Sequence, residues 1–161
     1  MPHGSCRFNK PLETELKKTA VAFVLATTSV LAMAQTTPVG LWKTIDDETH
    51  TEKSYVRITD AGGGRLTGKV EKIIDPAKAD AKCTACPDDD QKDKPIIGLT
   101  LFKDAKQDAE EPGLWGDTKI LKPEDGKHYT LKLKVLDGGK KLMVRGYIGP
   151  FYKTQEWIRL E

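Results

Sequence analysis

Short runs of alternating apolar and polar residues recur along the chain from residue 36 onward, separated by Gly, Pro and Asp. Alternation with a period of two is typical of strands that bury one face. No stretch of this region sustains the 3.6-residue period of an amphipathic helix. The pattern therefore predicts an all-β chain of eight strands, at residues 40–46, 53–59, 65–74, 96–103, 114–121, 127–136, 140–148 and 154–160.

Glycine-containing turns join several of the predicted strands. Residues 61–64, 123–126 and 137–139 carry glycine, which tolerates the positive φ that tight turns need. Strands joined in order by short turns form an antiparallel meander, which either pairs as a sandwich or closes into a barrel. The acidic connection 75–95 lacks the alternation, so we expect it to be irregular.

Alternation also assigns the faces of two strands. Four residues of the strand 127–136 share one side, which we predict faces the interior: Tyr129, Leu131, Leu133 and Val135. The strand 140–148 is less cleanly divided, because each of its sides carries apolar or aromatic residues. Its two alternating sets are Leu142, Val144 and Ile148, and Met143, Arg145 and Tyr147.

Residues 1–34 have the form of a secretory signal. A basic pair at 17–18 precedes an apolar run that ends in small residues at 32–34, so we predict cleavage between Ala34 and Gln35. The alternative is a membrane anchor, but polar residues interrupt the run, which is shorter than the ~20 residues that a spanning helix needs. We expect a targeting segment at 1–34 and a single domain at 35–161. Within the targeting segment we expect translation to start at Leu16, so that the residues before it are an upstream extension. The product is then periplasmic or secreted, with no membrane span.

The charge of the predicted mature chain argues against a nucleic-acid partner. The whole sequence has 26 Lys and Arg and 24 Asp and Glu; residues 1–34 hold four and two of these, which leaves 22 of each sign. Nucleic-acid binding depends on clustered positive charge that neutralises phosphates. A balanced chain with interspersed signs offers no such field, so we predict no DNA or RNA partner.

Cys83 and Cys86 are the only cysteines after residue 34. In an oxidising compartment a structural disulfide is the favoured interpretation. A redox-active pair needs a stabilised thiolate, which the acidic residues 88–90 disfavour. A zinc site needs two more ligands, and His50 and His128 are distant in sequence. A pair of free thiols is the fourth alternative.

No catalytic motif is recognised in the chain: a nucleophile elbow, a phosphate-binding loop and a metal-binding helix are all missing from the sequence. We therefore predict a protein that is not an enzyme and that holds no cofactor or metal. The acidic run at 88–93 does not have the spacing of a calcium loop and is interpreted as a solvated loop. Aromatic and basic residues at a barrel mouth would suit a small, partly anionic ligand, although buried Tyr and Trp more often fill a core. The candidates are Tyr55, Arg57, Arg145 and Tyr147.

Five ordered segments resemble a bacterial exported family known as domain of unknown function 2147. They are residues 38–43, the pair 83–86 with 92–99, 119–127 with Tyr129, 142–149, and 154–157. The likeness covers nearly all of the chain after residue 34. It implies a lipocalin-like antiparallel barrel with no assigned biochemical activity. It also implies that Trp42, in a G-x-W sequence like that of lipocalins, packs under Arg159 and closes one end of the barrel by a cation–π contact.

The sequence is compatible with three functions. The first is a binding module whose barrel holds a small, largely apolar or amphipathic molecule. The second is a structural or interaction protein with a packed barrel, whose surface contacts a partner in the cell envelope. The third is a thiol-redox protein that uses Cys83 and Cys86. A fold analogy alone does not choose among them.

Overall fold

The computed structural model describes residues 37–46 and 48–161, which form nine strands and two short 3₁₀ helices. The predicted signal, including the cleavage site between Ala34 and Gln35, lies outside the described residues. The strands are β1 (Gly40–Ile45), β2 (Glu52–Asp60), β3 (Arg65–Ile73), β4 (Thr100–Gln107), β5 (Leu114–Gly116), β6 (Lys119–Lys122), β7 (Lys127–Leu136), β8 (Lys141–Ile148) and β9 (Phe151–Arg159). The 3₁₀ helices are Pro76–Lys78 and Asp137–Gly139.

Antiparallel pairing closes the strands into a barrel. The sheet order is β5-β4-β3-β2-β1-β9-β8-β7-β6, and an additional β5–β7 pairing completes the ring. β5 and β6 both pair with β7, so they occupy one position in the wall and the barrel has the eight positions predicted. The predicted strand 114–121 is divided there because Asp117 has a φ of 60°, which ends regular strand pairing.

The fourth predicted strand is displaced. It was expected at 96–103, whereas β4 spans Thr100–Gln107. Gly98 has a φ of 88° and turns the chain, so the apolar run that looked like one strand includes part of the preceding loop. A second irregularity at Asp104, with a φ of 57°, shifts the pairing of β4 with β3.

Apolar side chains fill the barrel. The interior alternation predicted for β7 is confirmed for Leu131 and Leu133, which are fully buried, and Val135 packs against the same core. All three tryptophans of the chain belong to this core. The residues of the main cluster are Trp42, Val56, Ile58, Leu66, Val70, Leu101, Phe102, Ala105, Trp115, Leu131, Leu133, Leu142, Val144 and Trp157.

The barrel has two different ends. We call the closed end the one that contains Gly40, the 61–64 turn, the 3₁₀ helix Asp137–Gly139 and the last residues of β9. The open end contains the β1–β2 loop, the connection 74–99, and the turns 123–126 and 149–150. The pairing of Gly40 with Ile58 at one extreme of the sheet and of Ile148 with Phe151 at the other defines these ends.

Arg159 and Trp42 lie together at the closed end. The guanidinium carbon of Arg159 is 4.1 Å from the centre of the Trp42 ring, which is the contact that the family resemblance implies. The guanidinium also donates hydrogen bonds to the carbonyl oxygens of Thr37 and Val39, each at 2.7 Å, and of Gly139. Burial lowers the pKa of Arg159. One charged side chain therefore joins the start of β1, the β7–β8 connection and the end of β9.

The disulfide connection packs on the outside of the barrel. Cys83 and Cys86 form the predicted disulfide, and both are buried with Leu99 and Leu121 in a second apolar cluster. Leu121 points away from the main core because its neighbour in β6, Ile120, points into it. The connection is otherwise irregular, as predicted, apart from one 3₁₀ turn and an isolated bridge. Its cysteines pack against Leu99, just before β4, and Leu121 of β6, two strands that do not pair with each other.

Candidate functional site

The four candidate ligand residues lie on the outer face of the barrel. Tyr55 and Arg57 alternate along β2 with buried Val56 and Ile58, and so point away from the core. Arg145 and Tyr147 alternate along β8 with buried Leu142 and Val144 in the same way. β1 and β9 separate the two pairs in the sheet. None of the four side chains points into the barrel, as residues that line the mouth of a barrel would. Their role in ligand binding stays a prediction.

The Tyr55 ring and the Arg57 guanidinium both interact with neighbouring side chains. The Nζ of Lys72 is 5.6 Å from the centre of the Tyr55 ring. Arg57 donates hydrogen bonds to the carboxylates of Glu71 and Glu161, each at 2.7 Å, and the bonds to Glu71 raise the pKa of Arg57. These contacts tie β2 to β3 and to the last residue of the chain, which indicates a structural role.

Arg145 and Tyr147 form one cluster with two residues of β9. The Nε of Arg145 donates to Thr154 Oγ1 at 2.7 Å, and its Nη1 donates to the Tyr147 hydroxyl at 3.4 Å. Its guanidinium carbon is 4.7 Å from the centre of the Tyr152 ring, and the Tyr147 and Tyr152 ring centres are 5.4 Å apart. We call Arg145, Tyr147, Tyr152 and Thr154 the Arg145 patch. It lies on the outer face, near the open end.

The sequence did not identify Tyr152 and Thr154 as residues of the candidate site. The last strand was predicted at 154–160, but β9 begins at Phe151, directly after a tight turn at 149–150. A two-residue turn containing Gly149 pairs Tyr147 with Tyr152 and Arg145 with Thr154. Reading that glycine and the following proline as a hairpin turn would have revealed both partners.

The side chains that face the barrel interior become more polar toward the open end. Thr44 and Ser54 face each other across β1 and β2, with their hydroxyl oxygens 2.9 Å apart. On β9, Gln155 and Lys153 follow Trp157 on the inner face; Gln155 accepts a hydrogen bond from the Trp157 indole at 3.2 Å. The apolar core at the closed end thus gives way to polar side chains at the open end.

Exposed apolar side chains concentrate at the tip of the β8–β9 hairpin. Phe151 is 76% exposed, Tyr152 58% and Ile148 45%. Among residues 37–46 and 48–161, these are three of the six large hydrophobic residues that are exposed. The other three, Val39, Ile97 and Leu160, are not on this hairpin and are 37–41% exposed.

Clefts that are open to solvent also occur on the surface of the described residues, and two of them lie near the features above. One, of about 410 Å³, lies where β1 and β9 separate after pairing only at Trp42–Lys43 with Ile158–Arg159. Its lining includes Asp46, whose pKa is lowered to about 2 by hydrogen bonds from the backbone N–H groups of Thr49 and Glu48. The other, of about 270 Å³, lies beside the disulfide connection. Neither cleft is inside the barrel.

A family model described as an uncharacterized protein conserved in bacteria, DUF2147, matches residues 40–159. The chain belongs to this family. A solved structure with the same barrel is that of protein HP1028 from the human pathogen Helicobacter pylori, described as belonging to the lipocalin family. It is 20% identical, with a TM-score of 0.64 over 76% of this chain and 82% of that one. At this identity the likeness shows the fold alone. A search of curated proteins found no match.

The match to the DUF2147 model includes three of the features described above. The Arg145 patch, the disulfide and the Trp42–Arg159 contact all lie within it. No helix in the described part of the chain is long and apolar enough to cross a membrane. In residues 37–46 and 48–161, no group of three or more His, Cys, Asp or Glu is arranged to hold a metal ion.

Proposed function

We propose that this DUF2147 protein is an exported binding protein. It binds a small, largely apolar, amphipathic molecule at the open end of its barrel. The observation that carries the proposal is the concentration of exposed apolar side chains at the β8–β9 tip, next to polar inward positions. Barrels of about eight strands are wide enough to hold one small ligand. The signal pattern of residues 1–34 supports export to the periplasm or beyond.

The arrangement suits a molecule with two chemically different parts. Ile148 and Phe151 offer an apolar surface, and Lys153 and Gln155 lie next along the inner face of β9. Covering the exposed part of Phe151 with an apolar group contributes about 2–3 kcal/mol. Because the interior is filled by side chains, we place the ligand at the rim of the barrel rather than deep within it.

A second candidate is a non-catalytic interaction protein with a packed barrel. The filled core favours it, since Trp42, Leu131, Leu133 and Leu142 are fully buried. On this hypothesis the exposed hairpin contacts a protein of the envelope instead of a small molecule. A thiol-redox function ranks last, because both sulfurs are bonded to each other and both cysteines are buried in an apolar cluster.

Titration with Nile red, an uncharged dye that fluoresces in apolar surroundings, tests the first candidate. We expect saturable binding to the full chain and about tenfold weaker binding to Phe151→Ser, because part of the apolar contact is lost. Leu160→Ser, which removes an exposed apolar residue at the closed end, is the matched control and should bind the dye as the parent does. Equal affinity of all three chains would exclude the hairpin tip as the site, and no saturable binding at all would favour the packed interaction protein.

A further inference from the structure

The Arg145 patch presents hydrogen-bond donors and no free charged acceptor. A guanidinium has five N–H bonds. Two of those in Arg145 are used by Thr154 and Tyr147, and the remaining three have no protein acceptor among the described residues. Each of the two hydroxyls accepts a bond from Arg145 and keeps its own proton to donate. The cluster can therefore bind a group that offers several acceptor oxygens.

Each of the other arginines in the described part of the chain has a carboxylate or a backbone carbonyl of the protein as an acceptor. Arg57 is bonded to two carboxylates and Arg65 pairs with Asp104 at 3.5 Å. Arg159 donates to backbone carbonyls at the closed end. Arg145 contacts only hydroxyls and an aromatic ring, so its positive charge has no carboxylate partner in this part of the protein.

The neighbouring strand adds positive charge to the same surface. Lys132 of β7 is the direct cross-strand partner of Arg145. Like charges at directly opposite positions destabilise a sheet pair. Asp108 offsets the charge of Lys132, with its carboxylate 3.1 Å from the Lys132 Nζ, but it is not a contact of Arg145. An anion bound at Arg145 would remove the remaining repulsion.

We propose that the Arg145 patch is a binding site for an oxyanion, a carboxylate or a phosphate group. The guanidinium donates its free N–H bonds to two oxygens of the anion, in the forked geometry that arginine forms with such groups. The hydroxyls of Tyr147 and Thr154 donate to the same anion, and the Tyr152 ring holds the guanidinium plane in place. This site lies on the outer face. It shares Tyr152 with the exposed tip of the β8–β9 hairpin, but its donors are the polar groups of Arg145, Tyr147 and Thr154, which the apolar rim of the proposed function does not use.

Nuclear magnetic resonance of the side-chain Nε–H of arginine tests the site. The full chain is titrated with inorganic phosphate and separately with acetate, against sodium chloride at matched ionic strength. We expect a saturable shift at Arg145 and none at Arg57, which is already occupied. Saturation by phosphate alone would identify a phosphate site; saturation by acetate as well would show that carboxylates also bind. Equal, linear shifts at every arginine would overturn the proposal.

Two variants test whether the hydroxyl groups of the Arg145 patch contribute to anion binding or whether the exposed charge of Arg145 acts alone. Tyr147→Phe keeps the ring and removes one donor, so we expect it to weaken phosphate binding about five-fold, as one hydrogen bond to a charged group at an exposed site would. Arg65→Gln, which removes an exposed arginine elsewhere, should leave the affinity unchanged. Unchanged affinity in Tyr147→Phe would contradict the assigned geometry. Because Nile red is uncharged, Arg145→Gln should still bind it, so failure of the anion site and failure of the apolar rim are distinguishable.

Discussion

Replacing Arg159 by methionine should destabilise the barrel far more than replacing any exposed arginine. Methionine keeps an apolar stem over Trp42 but loses the guanidinium 4.1 Å from the centre of its ring and the bonds to four backbone oxygens. Hydrogen bonds from a charged group contribute about 1.5–3 kcal/mol each, and a cation–π contact about 0.5–2 kcal/mol. These terms are not additive, so we expect a loss of about 3–5 kcal/mol, a large part of the stability of a typical domain.

Urea unfolding followed by tryptophan fluorescence measures this loss. Arg65→Met is the matched control, because Arg65 is exposed and its only ion pair, with Asp104, is at 3.5 Å; we expect it to cost less than about 0.5 kcal/mol. Arg159→Lys should fall between the two, since lysine keeps the charge without the planar fork. The reasoning is refuted if Arg159→Met costs no more than Arg65→Met at an unchanged denaturant slope.

The pKa of Asp46 is lowered from 3.8 to about 2, so the stability that it contributes is present above pH 4 and is lost as the pH falls toward 2; Asp46→Asn should flatten the fall in urea midpoint over that window. Replacing Cys83 and Cys86 by alanine opens a loop of four residues and should cost about 2 kcal/mol in urea unfolding, with increased hydrogen exchange confined to the connection 75–99. Gly68→Ala places a methyl group against the Phe102 ring and should lower stability by about 1–3 kcal/mol, and the second change Phe102→Leu should recover part of this loss.

Periodicity predicted the barrel wall well because each inward row is bounded by polar neighbours. β7 illustrates this. Leu131 and Leu133 alternate with the polar residues Thr130, Lys132 and Lys134, so only one assignment of the inner and outer faces is consistent with the sequence. The fourth strand was displaced for the opposite reason. Apolar residues run from Ile96 to Phe102 without regular alternation, and backbone torsions at Gly98, not side-chain polarity, determine where β4 begins.

The candidate site was only partly predictable. Alternation showed that Arg145 and Tyr147 share a face of β8, but not which face, because both faces carry large apolar or aromatic groups. A register error of one residue exchanges the inner and outer faces of a strand. Leu121 shows a further limit, since it is an apolar residue on the outer face that only the disulfide connection buries. Such packing depends on long-range contacts that local pattern does not contain.

Native mass spectrometry of the protein isolated gently from the envelope of cells that produce it tests the central claim most directly. The account predicts a chain that starts at Gln35 and carries a non-covalent adduct of discrete mass. The adduct should be reduced in Phe151→Ser and retained at the parent level in Leu160→Ser. A bare mass that persists after incubation with envelope extract would contradict ligand binding at the open end and favour the packed interaction protein.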